Sequence, residues 1–293
     1  MQIGLGTFGT LVQNLAGGSK EWNAAMAWLL GATSEQRPEH FRGVAVEPVK
    51  DHVDRLQRVV DRLPFVELVQ AAIGEENAEG QELYVLTDQA SEDLLREVPT
   101  ALRSRLEREL TYVKNMSCVG GMNKSLERCR RDVWQKYRLD LRLAPKRTDV
   151  WTYGRLARRL GFCGCEVLVV DAEGHDAKIL RSMIRHCREH EASGKTAWPD
   201  VIVFESAGHC DEKEGFQAES AILRQLEDCG YKAFLIDKMN THMIHLEAFQ
   251  RSKRLKLWMG QTYCYRCNSK GPWPFIISEC GIVCERCAGL SEP

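Results

Sequence analysis

The chain has 293 residues, enough for one large domain with a real core and a small appendage. Its 40 Lys and Arg side chains meet 41 Asp and Glu, a net charge of -1, so no whole-protein field draws it to nucleic acid or membrane and any such contact must be local. A hydrophobic content of 44%, a charged content of 28%, no apolar run of membrane-spanning length and no basic leader before an apolar stretch make the cytoplasm the expected compartment.

An apolar strand opens the chain and breaks into a turn with Gly4, Gly6 and Gly9 in G-x-G-x-x-G spacing. Glycine lets the backbone turn tightly and a ligand approach it closely, so a nucleotide would lie against Gly4, Gly6, Thr7 and Gly9; a turn without a ligand reads the same way. Because this strand starts at the first residue, a segment ahead of it is expected to be missing from the sequence. Leu11–Leu15 and Glu21–Leu30 read as helices, and 31–42 as a polar loop. The second strand, Gly43–Glu47, ends in an acidic side chain that can accept hydrogen bonds from both hydroxyls of a ribose. Asp51–Leu63 has helical spacing, and a third strand at Val66–Gln70 runs into Ala71-Ala72-Ile73-Gly74, whose small residues would let an adenine ring sit against the backbone.

Leu83–Leu86 reads as a short extra strand. The highly charged section 91–147 shows two helices, Glu92–Leu110 and Lys124–Tyr137, and no clear strand, which marks it as a helical insertion over the site. Trp151–Leu160 is expected to be helical. A fourth buried strand, Glu166–Val170, leads through Asp171-Ala172-Glu173-Gly174-His175 into a helix at Ala177–Arg188, and a fifth ends at Glu205. A helix at Ala218–Asp228 and a hairpin of Lys232–Ile236 with Met243–Leu246 follow. Strands that alternate with helices predict an α/β fold: a mainly parallel sheet with helices on both faces.

Taken in order, Ile3-Gly4-Leu5-Gly6-Thr7-Phe8-Gly9, Val44-Ala45-Val46-Glu47-Pro48, Ala71-Ala72-Ile73-Gly74, Val170-Asp171-Ala172-Glu173-Gly174, Ile202-Val203-Phe204-Glu205 and Cys229-Gly230-Tyr231 resemble the FkbM family of class I S-adenosylmethionine-dependent methyltransferases. The Asp-x-Glu-Gly step is the most specific of these, and the match covers about residues 1–246 outside the charged section. The resemblance implies a Rossmann-like seven-stranded sheet whose last strand is antiparallel. It also implies S-adenosylmethionine as cofactor, with Glu47 on its ribose. The sequence departs from the family at Gln2, where an acidic residue is common, and its glycine spacing also suits NAD.

Methyl transfer needs alignment above all, plus a base when the acceptor is a hydroxyl. Asp171, Glu173 and His175 lie at the carboxyl end of the fourth strand, where open α/β sheets place ligands, and are the candidate catalytic residues. Asp171 belongs to the cofactor site as well. The structural alternatives are a helix N-cap for Asp171, a favourable helix dipole for Glu173 and a hydrogen-bonded structural histidine for His175. Glu205 reads as a pocket residue or a salt-bridged strand end, Trp151, Tyr153 and Trp198 as core, and His209-Cys210-Asp211 as loop.

Of 12 cysteines, seven are scattered through the large domain and read as small buried hydrophobes, while five crowd into 264–287. There Cys264-x2-Cys267 and Cys284-x2-Cys287, with 16 residues between the pairs, can offer four thiolates to one structural Zn²⁺, and Cys280 is a spare thiol. The chain thus divides into a methyltransferase-like domain at 1–250, a basic linker at 251–262 and a zinc-ribbon-like module at 263–293. The linker's Arg251–Lys256 patch is a solvated face or, with the module, a contact for protein or nucleic acid.

The expected function is methylation of an oxygen on a small molecule or sugar. Two alternatives stay open: an NAD-binding oxidoreductase, disfavoured by the 40 residues between Gly6 and Glu47, and a non-catalytic adaptor working through the zinc module.

Overall fold

In the computed structural model of the protein, the described residues are 1–3, 42–62, 65–115, 118–119, 124–194, 197–206, 208–211, 213–236, 240–251, 275–278 and 281–284. They form a mixed α/β fold. In chain order the elements are β1 (Gln2–Ile3), β2 (Gly43–Glu47), α1 (Lys50–Val60), β3 (Val66–Gln70), β4 (Ala72–Gly74), β5 (Ala78–Val85), α2 (Asp88–Glu97), α3 (Thr100–Asn115), β6 (Cys118–Val119), α4 (Lys124–Tyr137) and β7 (Ala144–Thr152). They continue as α5 (Tyr153–Leu160), β8 (Val167–Val170), α6 (Asp176–Glu191), β9 (Val201–Glu205), α7 (Phe216–Asp228), β10 (Tyr231–Ile236), β11 (Asn240–His245), α8 (Leu246–Arg251), β12 (Phe275–Ser278) and β13 (Gly281–Cys284).

The largest sheet runs β10-β11-β9-β8-β1-β2-β3. Strand β1 is parallel to both β2 and β8, β2 to β3 and β8 to β9, whereas β11 is antiparallel to β9 and β10 on either side of it. The chain therefore winds outward from β1 to β3, returns beside β1 as β8 and winds the other way. The carboxyl ends of strands at such a reversal are where open sheets leave a crevice for ligands.

Side chains alternate across β2, and the alternation shows which helices cover which face. Val44 and Val46 join the main core with Leu168, Val170, Ile202 and Phe204, against Leu156 and Leu160 of α5, Ile179, Leu180 and Met183 of α6 and Ile222 of α7. Ala45 faces the other way, into a smaller cluster with Leu56 and Val60 of α1. Cover on both sides explains why β2, β8 and most of β9 are unbroken apolar runs with no alternation to read. Trp151 and Tyr153 belong to the main core, and the Tyr231 hydroxyl donates to the Pro199 carbonyl at 2.6 Å.

A second sheet, ordered β4-β7-β5-β6, stands beside the first. The chain crosses into it at Ala71, directly after β3. At Gly74 a side chain could not be accommodated, since a Cβ there would sit 2.7 Å from Val150 Cγ1 on β7. The bare backbone at this point therefore packs closely against the Val150 side chain.

Section 91–147 differs from its sequence reading in two ways. It contains strand β6 and the start of β7, which the charged residues Lys146, Arg147 and Asp149 concealed because β7 is solvated along much of its length. Its expected first helix is two, α2 and α3, because Pro99 holds Val98 in an extended conformation (φ -100, ψ 149). The section also owns a core: Leu94, Leu106, Leu110, Leu126, Val133 and Leu141 pack together, separate from the sheet. Helix α5 likewise starts two residues later than expected, since Trp151 and Thr152 extend β7 and the Thr152 hydroxyl caps the helix by accepting from Arg155 N at 3.1 Å.

Among the described residues no helix is long and apolar enough to cross a membrane. Of the scattered cysteines, Cys187 and Cys210 are buried as expected, but Cys163 is exposed.

Candidate functional site

The carboxyl ends of β2, β8 and β9 bring together the acidic residues singled out in the sequence. Glu47 closes β2 with 2% of its surface exposed. Its Oε1 accepts from the Val49 amide at 2.9 Å and lies 3.3 Å from His52 Nδ1, one turn into α1. The Glu47 carbonyl receives the Ala71 amide at 3.3 Å, so buried Ala72 follows directly beside the end of β2. Gly4, Gly6, Thr7 and Gly9 lie outside the described residues.

After β8 the chain makes a strained step. Glu173 has φ +49 and Gly174 φ +91, two consecutive left-handed residues of which only the second is glycine. A non-glycine residue in this region costs on the order of 1 kcal/mol and persists only where its surroundings dictate it. The cause here is Asp176, which is fully buried in the first turn of α6. Its Oδ2 accepts from Ala172 N at 3.2 Å and its Oδ1 from Glu205 N at 3.1 Å. One carboxyl thereby ties the end of β8 to the end of β9 and folds the intervening Glu173-Gly174-His175 segment over itself. A second tie, from Ala177 N to the Cys210 carbonyl at 2.9 Å, fastens α6 to the loop after β9.

This arrangement separates the two roles that the sequence left open for Asp171. The N-cap position of α6 belongs to His175, whose side chain makes no capping bond, and the acceptor of backbone amides is Asp176. Asp171 is left at the strand end with solvent on one side. Protein atoms crowd the rest of its carboxyl, and that desolvation raises its pKa despite the open edge. Asp176 escaped notice in the sequence because an aspartate opening a helix is commonplace; its position one step beyond Asp-x-Glu-Gly-x is the only local signal of its role.

Four acids, Asp171, Glu173, Asp176 and Glu205, share this corner, and burial among like charges lifts two of them far. Burial, then the neighbouring Asp171, pushes the Asp176 carboxyl up to about 8, with the two amide donors opposing. Burial together with Asp176, Glu173 and Asp171 pushes Glu205 up to about 9. At neutral pH Glu205 is therefore largely protonated and can donate a hydrogen bond. His175 moves the other way, to about 4, through burial and the Lys178 ammonium, with Asp211 partly offsetting and Lys213 adding to the fall. It stays neutral at physiological pH and is a weak base. Among the described residues no group of three His, Cys, Asp or Glu is disposed to hold a metal ion.

The raised carboxyls make a stability prediction. Both bind protons more tightly in the native state than in the unfolded chain, so their contribution is complete below the ordinary carboxylate range and is lost as pH rises through about 8 and 9. The melting temperature is expected to fall by several degrees between about pH 5 and about pH 9, and the Glu205→Gln variant should fall less steeply. A Glu205→Gln profile parallel to that of the parent protein would show that Glu205 ionises as freely folded as unfolded.

Beside the acids lies a cavity of about 610 Å³ between α3 and α4, closed on one side by His209 from the loop after β9. Tyr112 of α3 lines it, and lies near enough to Glu173 and Glu205 that their charges, after burial, raise its phenol. Section 91–147 therefore reaches the acidic corner. His209, read as plain loop in the sequence, is a wall of this cavity. Cys210 is buried, and Asp211 Oδ1 accepts from the amides of Lys213 and Glu214 at 2.9 and 3.1 Å, which is loop-building. Trp198 is half-buried and stacks on His245, with centroids 6.4 Å apart, in keeping with a structural role.

Toward the C-terminus, β12 and β13 form an antiparallel hairpin in which Phe275 pairs with Cys284. Cys264, Cys267 and Cys287 lie outside the described residues, as do positions 252–262 of the basic linker. Arg251 ends α8, 3.9 Å from Glu247. Compared with protein-family models, with curated proteins and with solved structures, the chain matches none of them.

Proposed function

We propose that this chain is an S-adenosylmethionine-dependent methyltransferase of Rossmann-like fold, related to the FkbM family and acting on a hydroxyl oxygen of a small molecule or sugar. The observation that carries the reading is the strand order β10-β11-β9-β8-β1-β2-β3 with only β11 reversed. That arrangement accords with the sheet the sequence resemblance implies, and it puts Glu47 and the Asp171 corner on the same edge.

The residues present fit the cofactor. Glu47 is a buried acceptor suited to ribose hydroxyls, with Ala72 beside it, and the Asp171 and Glu173 carboxylates offer negative charge to a sulfonium and an ammonium group. When bound, the cofactor supplies an electrophilic methyl group. Of the three candidate catalytic residues, Asp171 is the best proton acceptor for the attacking hydroxyl, since its raised carboxyl is the one open to solvent. Glu173 is held near it by the strained step and orients the cationic part of the cofactor. Neutral His175 can accept a hydrogen bond but removes a proton less readily than Asp171. Glu205, protonated at neutral pH, donates to a ligand oxygen. The glycine turn with Gly4, Gly6, Thr7 and Gly9 completes the cofactor site in this reading.

Calorimetric titration with S-adenosylmethionine and NAD in parallel tests it. S-adenosylmethionine should bind and NAD should not, and Glu47→Ala should weaken the binding by about 1–3 kcal/mol because ribose hydroxyls lose a charged acceptor. Binding of NAD alone, or unchanged affinity in the variant, would overturn the assignment.

We further infer that Cys264, Cys267, Cys284 and Cys287 hold one structural Zn²⁺. Support comes from the ligand spacing and from the β12–β13 hairpin, whose last residue is Cys284.

A further inference from the structure

The cavity between α3 and α4 has an uneven charge that the methyl-transfer reading does not use. Four cationic side chains line it, Arg105, Arg108, Arg128 and Lys136, against two carboxylates, Glu109 and Asp132. Two of the cations are committed: Arg105 Nε lies 3.8 Å and Lys136 Nζ 3.1 Å from the same Glu109 oxygen. Arg108 and Arg128, one from each helix, have no ion-pair partner among the described residues. Two guanidinium groups lining one hollow suit a doubly charged anion, because each can give two parallel N–H bonds to phosphate or carboxylate.

Tyr112 brings the hollow within electrostatic reach of Glu173 and Glu205 at the sheet edge, and of Arg128 as well. An anion entering the hollow is drawn to the arginines and away from the Glu173 carboxylate, which favours a molecule charged at one end lying with that end on the guanidinium groups. Its neutral end then lies under Tyr112, a residue 58% exposed whose ring is able to cover a sugar or similar face. A volume of about 610 Å³ suits a ligand of that size.

We propose that the insertion builds the acceptor site, and that it takes a small dianion, a phosphate monoester or a dicarboxylate, with the anion on Arg108 and Arg128 and the hydroxyl-bearing end toward Asp171. The inference rests on the methyltransferase reading for the role of the bound molecule, but the anion site stands or falls by itself.

The test measures binding of ribose 5-phosphate, glutarate and neutral ribose by titration calorimetry to the full chain and to an Arg108→Ala, Arg128→Ala double variant. Both arginines are exposed, so the variant should keep its fold. Ribose 5-phosphate or glutarate should bind the parent chain, weaken with added salt and lose at least about tenfold in the variant, while ribose does not bind. Which of the two dianions binds identifies the class. S-adenosylmethionine affinity should stay within about twofold in the same variant. Equal dianion binding by parent and variant, or none by the parent at millimolar concentration, overturns the proposal. A parent chain that binds the dianion through the arginines yet fails to bind S-adenosylmethionine would keep this site and refute the methyltransferase reading; the reverse result would keep the cofactor and refute this site.

Discussion

Replacing Asp176 with leucine is expected to destabilise the protein by about 2–5 kcal/mol, read as a shift in chemical denaturation, because two backbone amides lose a buried acceptor. Those amides, of Ala172 and Glu205, belong to the adjacent ends of β8 and β9, beside Asp171, Glu173 and Glu205. Asp176→Asn should cost far less, about 1 kcal/mol, since burial already holds the native carboxyl neutral at physiological pH and the amide keeps one acceptor in place. Equal losses in the two variants would mean that the volume at this position matters and the hydrogen bonds do not. The leucine variant should also lose S-adenosylmethionine binding in any fraction that remains folded, because the Glu173-Gly174 step is held by the same carboxyl.

One zinc per chain is expected on elemental analysis of the purified protein. Four thiolates bind Zn²⁺ with apparent energies on the order of 10 kcal/mol, and a segment as short as 263–293 has little apolar burial to fold without it. Cys264→Ser and Cys287→Ser should each abolish the metal, and Cys280→Ser should leave it. Removal of 257–293 should hardly change S-adenosylmethionine affinity, since the main core is built from β1 to β11 and the helices between them. Absence of zinc from the intact protein, or loss of cofactor binding on truncation, would refute the division into a catalytic domain and a metal module.

Much of the sheet was legible because its strands are apolar runs closed by distinctive residues. Val44–Glu47, Val167–Val170 and Val201–Glu205 are each covered on both faces, and full burial leaves an unbroken hydrophobic signature at strand length. The helices after them were legible from spacing, with ends displaced by a few residues where a cap or a proline acts: Thr152 before α5, Pro99 between α2 and α3. Strand β7 escaped because a solvated strand of Lys, Arg and Asp carries no apolar pattern, and β6 because two residues are too few for any periodicity.

The candidate site divides along the same physical line. Residue type and position at a strand end were enough to single out Glu47, Asp171, Glu173, His175 and Glu205, since those are local properties of the chain. What each can do was decided by neighbours distant in sequence. Asp176 takes the Glu205 amide across 29 positions, and burial, with the company of three other acids, moves Glu205 to about 9 and leaves Asp171 as the acid of this corner most open to solvent. The arginine-lined hollow joins α3, α4 and His209, which lies more than seventy residues beyond α4. Sequence by itself determined the α/β pattern and the acidic strand ends, because burial and backbone propensity act within a few residues. Only the tertiary structure decided strand order, protonation and the cavity, because charge, desolvation and packing act through space between residues the chain keeps far apart.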